Sequence, residues 1–199
     1  MGLYLAMVGS AFATTLIGMD IDQVARDAEL IFEGRVINSE TRQDSNSGIV
    51  STYVTFAIAD IIKGDYPSDT LELKFMGGEF NGEITAISGL TIPSLDEQGI
   101  YFVEALDRDL VNPLLGWSQG HFLISEDNGD RVVTTTDSKP VLDVQPVAAI
   151  PASIKKPQAL IEGKNDVAAG VNVDQAALSA NRGLSVDEFK SRIRALLNN

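Results

Sequence analysis

Short runs of alternating apolar and polar residues, separated by turn chemistry, restrict this chain more than any other feature. Leu30, Phe32 and Val36 alternate with Glu33, Arg35 and Ile37, the period of a strand with one buried face. Asp44-Ser45-Asn46-Ser47-Gly48 supplies turn residues, and a long strand follows over Ser51 to Lys63. There Val54, Phe56 and Ile58 point one way, and Tyr53, Thr55 and Ala57 the other. Leu71, Leu73 and Phe75 alternate with Glu72 and Lys74 until Gly77-Gly78 breaks the pattern. Ile100 to Ala105 and Gly120 to Ile124 read as two more strands, and Asp127-Asn128-Gly129-Asp130 as a hairpin turn into Arg131-Val132-Val133. Several strands, few helices and no strand–helix alternation predict a mainly β fold. The expected form is a small closed or partly open antiparallel barrel.

Composition narrows the chemistry. The chain has 199 residues, no Cys and one His, with 28 acidic against 15 basic residues for a net charge of −13. Without Cys there is no disulfide scaffold, thiolate zinc site, iron–sulfur cluster or thiol nucleophile. One His excludes any site needing two. The acidic balance argues against nucleic acid and anionic membrane surfaces. Hydrophobic residues make up 44%, enough to build a core.

Four regions follow. Residues 1–13 contain the apolar run Leu3 to Phe12, too short to span a bilayer, which takes about 20 residues. With Ala11-Phe12-Ala13 as a small-x-small site, they read as the end of a secretory signal. No Lys or Arg precedes Leu3, so two alternatives stand: a start further upstream, or a buried N-terminal strand or helix. Residues 20–147 form the β domain, entered by a short helix over Asp20 to Ala28 with Asp20 or Asp22 as cap. Residues 148–183 are rich in Pro, Ala and Asn and read as a linker. Residues 184–199 form an amphipathic helix, with Ser185 and Glu188 as capping box and Val186, Phe189, Ile193 and Leu196 or Leu197 on one face.

The order of short motifs carries a resemblance. Ala28-Glu29-Leu30-Ile31-Phe32-Glu33-Gly34-Arg35-Val36 is followed by Val54-Thr55-Phe56-Ala57-Ile58, Ile62-Lys63-Gly64-Asp65 and Gly99-Ile100-Tyr101-Phe102-Val103. This resembles the netrin-like module, the fold of the tissue inhibitors of metalloproteinases. It also resembles exported bacterial proteins of unassigned function that carry a Gly-Gly and a Gly-Trp-Ser-Gln-Gly element. The match covers residues 28 to 124. It implies a five-stranded OB-type barrel with a helix at one end. The inhibitors chelate the protease zinc through an N-terminal Cys, which this chain lacks, so that mechanism does not transfer.

Gly116-Trp117-Ser118-Gln119-Gly120 matches the nucleophile elbow G-x-S-x-G. A triad would need Ser118 on a strand-to-helix turn and a His to take its proton. Here a strand follows, and His121 points to the opposite face from Ser118. The competing reading is a glycine-permitted bend with Trp117 as a packed anchor. His121 as a metal ligand has only carboxylates such as Glu126 and Asp127 to help. Glu126 to Asp130 lacks the later bidentate Glu of a calcium loop and reads as a turn. Gly77 to Glu83 has two acids and no Lys, so it reads as a loop rather than a phosphate cradle. The candidate binding residues are Phe80, Trp117, Gln119 and His121, with Ser118 as the one catalytic candidate; no metal or cofactor is assigned. The expected protein is a non-catalytic protein-binding module, secreted or periplasmic. Its partner is an extracytoplasmic protein, with a protease as the class the resemblance implies. The alternatives are a serine hydrolase using Ser118 and a structural envelope protein.

Overall fold

The computed structural model describes residues 16–127, 129–149, 159–160, 167–174 and 182–198. The signal reading of residues 1–13 lies outside them. The chain is mainly β. It runs β1 (Leu16–Ile17), α1 (Ile21–Asp27), β2 (Leu30–Gln43), β3 (Val50–Lys63), β4 (Thr70–Met76), β5 (Gly78–Phe80), β6 (Glu83–Thr85) and β7 (Gln98–Val103). Then come β8 (His121–Asp127), β9 (Asp130–Thr135), β10 (Val141–Val144), β11 (Ala159–Leu160), β12 (Val171–Val173) and α2 (Val186–Leu197). Six strands form one antiparallel sheet in the order β4-β3-β2-β7-β8-β9. Among the described residues, no helix is long and apolar enough to cross a membrane.

β2 and β3 are each 14 residues long. They pair along their length, with register shifts at Ile31/Phe32, Glu33/Gly34 and Val36/Asn38 that bend the ribbon. The bend lets β2 give its N-terminal half to β7, while β3 gives its own N-terminal half to β4. Around this ribbon the sheet is buried on both faces. Leu30, Phe32, Val36, Tyr101 and Val103 enter one core with Val54, Phe56, Leu71, Leu73, Phe75 and Leu114. Ile31, Ile100, Phe102, Phe122 and Val133 enter a second core with α1 and α2. The first turns of β2 are thus not half-buried, as the alternation suggests: Leu30-Ile31-Phe32-Glu33 is a continuous buried run.

The sheet does not close, which corrects the closed-barrel expectation. Its end strands, β4 and β9, are not paired with each other. Other segments cover β9: Val133 N–H donates to the Leu184 carbonyl at 2.9 Å, and Thr135 N–H to that of Lys139 at 2.9 Å. β4 meets the 104–113 loop through one backbone bond, Met76 N–H to the Val111 carbonyl at 2.9 Å.

The described part of 148–183 is tied to the domain rather than loose. β12 pairs with β10, and Ile21 N–H donates to the Ala169 carbonyl at 2.8 Å. That backbone bond serves the first N–H of α1, and no aspartate side chain caps the helix. Asp20 occupies the N-cap position without a side-chain bond. Asp22 accepts instead from Val147 N–H at 3.2 Å and pairs with Arg26 at 3.0 Å.

The other end of α1 explains Lys63. Its ammonium donates to the carbonyls of Ala25, Arg26 and Ala28, groups that a helix C-terminus leaves without intrahelical partners. Lys63→Met keeps the aliphatic stem and orphans these carbonyls. It is expected to cost about 2 kcal/mol, read as a lower urea midpoint at unchanged slope.

Candidate functional site

The Gly-Trp-Ser-Gln-Gly element forms a tight turn between the 111–115 segment and β8. Gly116 and Trp117 both take left-handed backbone, with φ of 64° and 61°. A single 3-10 turn then runs from Trp117 to Gly120. A side chain at Gly120 would stand 2.3 Å from the Leu115 carbonyl oxygen, so the closing glycine is required by contact. The turn leads into a strand, not the helix a nucleophile elbow needs.

The four candidate binding residues do not meet on one surface. Gln119 is fully buried. Its Oε1 accepts from Met19 N–H at 2.7 Å and its Nε2 donates to the Gly116 carbonyl at 3.1 Å. It therefore fastens the segment before α1 to the turn. His121 is 1% exposed and sits opposite Tyr101 in the β7–β8 register. Its Nε2 is 2.8 Å from Glu97 Oε1, which also accepts from the Tyr101 hydroxyl at 3.1 Å. His121 is thus engaged by Glu97 and not by Ser118. Trp117 and Ser118 are half-buried on the turn, beside β7, β8 and α1. Phe80 is half-buried on the β5–β6 hairpin, which packs on β2 and β3. That contact is at the Thr41 and Thr52 end, away from the β7 half of β2.

Glu97 was not legible as a partner for His121, because it precedes β7 and lies 24 residues away. Burial raises the Tyr101 pKa far above its ordinary value, and the charge and hydrogen bond of Glu97 raise it further. The unfolded chain can ionise this phenol where the folded one cannot. The contribution of Tyr101 is therefore complete below the ordinary tyrosine pKa and is lost as pH rises beyond it. An ultraviolet phenolate titration should show one tyrosine ionising only as the chain unfolds.

The acidic turns close hairpins. Asp127 pairs with Asp130 at the β8–β9 end. Asp44 Oδ1 accepts from Ser47 N–H at 2.7 Å, Ser47 Oγ at 2.8 Å and Asn46 N–H at 3.1 Å. These bonds hold its carboxyl below the ordinary value. Among the described residues, no three His, Asp or Glu side chains are grouped to hold a metal ion.

The exposed feature that sequence reasoning missed is the outer edge of β4. Ile58 N–H donates to the Asp69 carbonyl at 2.8 Å, which sets the parity of the ladder. Residues 71, 73 and 75 bond to β3, and 70, 72, 74 and 76 face outward. Met76 N–H is taken by Val111 and Thr70 N–H by Ser68 Oγ. The backbone groups of Glu72 and Lys74 meet no partner among the described residues.

Two clefts flank this edge. One, of about 190 Å³, lies between β4 and the loop carrying Leu106, Arg108 and Pro113. The other, of about 550 Å³, includes Arg42, Ile49, Tyr53, Met76 and Val111. Between them Lys74 bridges to Asp109 at 2.5 Å, and that bond raises the lysine pKa above its ordinary value. In the larger cleft the Arg42 guanidinium lies 4.4 Å from the centre of the Tyr53 ring. In comparisons with known proteins, no family model, no curated protein and no solved structure matches the chain.

Proposed function

We propose that the chain is an exported, non-catalytic protein-binding module that receives an extracytoplasmic partner along the outer edge of β4. One observation carries this reading. The opposite sheet edge is covered by other segments, while Glu72 and Lys74 present backbone donors and acceptors to a cleft. Such an edge accepts an extended segment by strand addition. The fold that goes with it is a partly open, OB-like barrel. What supports that form is the bent β2–β3 ribbon around one core and the single bond from Met76 to Val111. The secreted or periplasmic address rests on residues 1–13, and a protease as partner class on the netrin-like resemblance.

The hydrolase alternative requires Ser118 to be activated, and His121 is turned to Glu97. The envelope alternative uses the stripe of α2, which is already packed against this chain's own core.

The test is capture from the exported protein fraction of the source cells, with the wild-type chain and a Lys74→Pro chain as parallel baits. Proline at an outward-facing edge position removes one donor and leaves the β3 ladder intact. A stoichiometric partner held by the wild type and lost by the variant supports the reading. A partner held equally by both contradicts the edge assignment. Labelling of Ser118 by a fluorophosphonate probe would contradict the non-catalytic reading.

A further inference from the structure

The chemistry along the β4 edge also selects a partner segment. This step rests on the strand-addition reading above. Four charged side chains line the smaller cleft: Glu72, Lys74, Arg108 and Asp109. Lys74 is bound to Asp109, and Arg108 to Glu104 at 2.8 Å. Glu72 lines the same cleft and is exposed; the charge of Arg42 reaches it, but no cation among the described residues sits at ion-pair distance. It sits on one of the two positions whose backbone groups face outward.

We propose that the β4 edge takes an extended peptide segment that places a Lys or Arg side chain directly across from Glu72. Directly opposed residues on neighbouring strands have side chains close enough to interact, and like charges there are repelled. A basic residue across from Glu72 completes an ion pair. The same residue displaced by two positions faces Lys74, whose charge Asp109 already offsets, and gains no pair. The register of the incoming segment is therefore set by charge, since a strand pairs only through residues of matching parity. The alternate side chains of the segment meet Ala105, Leu106, Leu110 and Pro113 across the cleft, so apolar residues belong there. The net charge of −13 draws such a segment toward the protein.

The probe is a capped, fluorescein-labelled heptapeptide, Val-Thr-Val-Lys-Val-Thr-Val, with its Lys replaced by Glu as control. Binding to the full chain is read by fluorescence anisotropy. The lysine peptide is expected to bind the wild type about two- to fivefold more tightly than the glutamate peptide does, the scale of one cross-strand charge pair. Glu72→Lys, a change on an exposed side chain, is expected to invert that preference. Glu72→Pro is expected to weaken both peptides, because it removes an outward N–H.

Equal binding of both peptides to the wild type, or a preference unchanged in Glu72→Lys, overturns the proposal. If neither peptide binds but Lys74→Pro still abolishes capture of the cellular partner, the charge rule fails and the binding edge stands. If that variant captures normally, the edge reading falls with it.

Discussion

Truncation of Phe189 to alanine is expected to lower the unfolding free energy by about 4 kcal/mol, the usual cost of emptying a buried phenylalanine site. Phe189 has no exposed surface and packs on Phe122 of β8, with ring centres 4.9 Å apart. Phe122 in turn lies 5.8 Å from Phe102 of β7. α2 therefore covers the second face of the main sheet, joined by α1 and by Val141 and Val144 of β10. A helix of 12 residues is marginal alone, and this burial is what holds it. The check is urea unfolding, with a lower midpoint at unchanged slope. A loss below about 1 kcal/mol would place α2 outside the cooperative unit.

The second large effect concerns the charge under α2. Lys190 Nζ donates to Glu33 Oε2 at 2.8 Å and to Asp60 Oδ2 at 3.1 Å. Arg131 reaches the other oxygen of Glu33 at 2.7 Å, and Arg194 reaches Asp60 at 3.0 Å. Glu33 is only 6% exposed, so it depends on these cations. Lys190→Met keeps the stem and removes the charge, leaving Glu33 with Arg131 alone. The expected loss is about 3 kcal/mol, because a buried carboxylate is left undercompensated. Pairing it with Glu33→Leu should return much of that loss, since an apolar pair needs no desolvation. If the double variant is no better than the single one, the cluster is not the source of the effect.

The same cluster sets a pH window. Burial pushes Asp60 up, but the bonds from Lys190 and Arg194 outweigh it and leave its pKa below the ordinary value. Its contribution is present above the unfolded aspartate pKa and is lost as pH falls through the folded one. Burial pulls Lys190 down, and its bonds to Glu33 and Asp60 outweigh that and raise it. Its contribution is complete below the unfolded lysine pKa and is lost as pH rises through the folded one. Helix docking should therefore weaken at both extremes and be level across the neutral range.

What the sequence showed was what local period can encode. The alternation in Leu71, Leu73 and Phe75 marks β4, and Ser185 with Glu188 marks the start of α2, where the capping box closes. Long-range facts were out of reach. Nothing local tells that Ile31 and Phe102 are buried against helices, because a strand covered on both faces loses its alternation. Lys190 and Glu33 are separated by 157 positions, so their pairing follows only from the docked helix. The pairing of β10 with β12 was hidden by the prolines and small residues around it. Gln119 and His121 drew attention as a chemical motif, yet their partners, Met19 and Glu97, come from other segments. The position of β4 at the sheet edge depends on strand order, which composition and period do not record.

The most direct test of the proposed binding edge is amide hydrogen exchange at single-residue resolution, with and without a partner obtained by the capture experiment. In the free protein the Glu72 and Lys74 amides face outward and should exchange fast, while those of Leu71, Leu73 and Phe75 are held by β3. On complex formation the Glu72 and Lys74 amides should exchange slowly, with the core unchanged. Protection that falls elsewhere, as at the Trp117 turn, and leaves these two amides fast would contradict it.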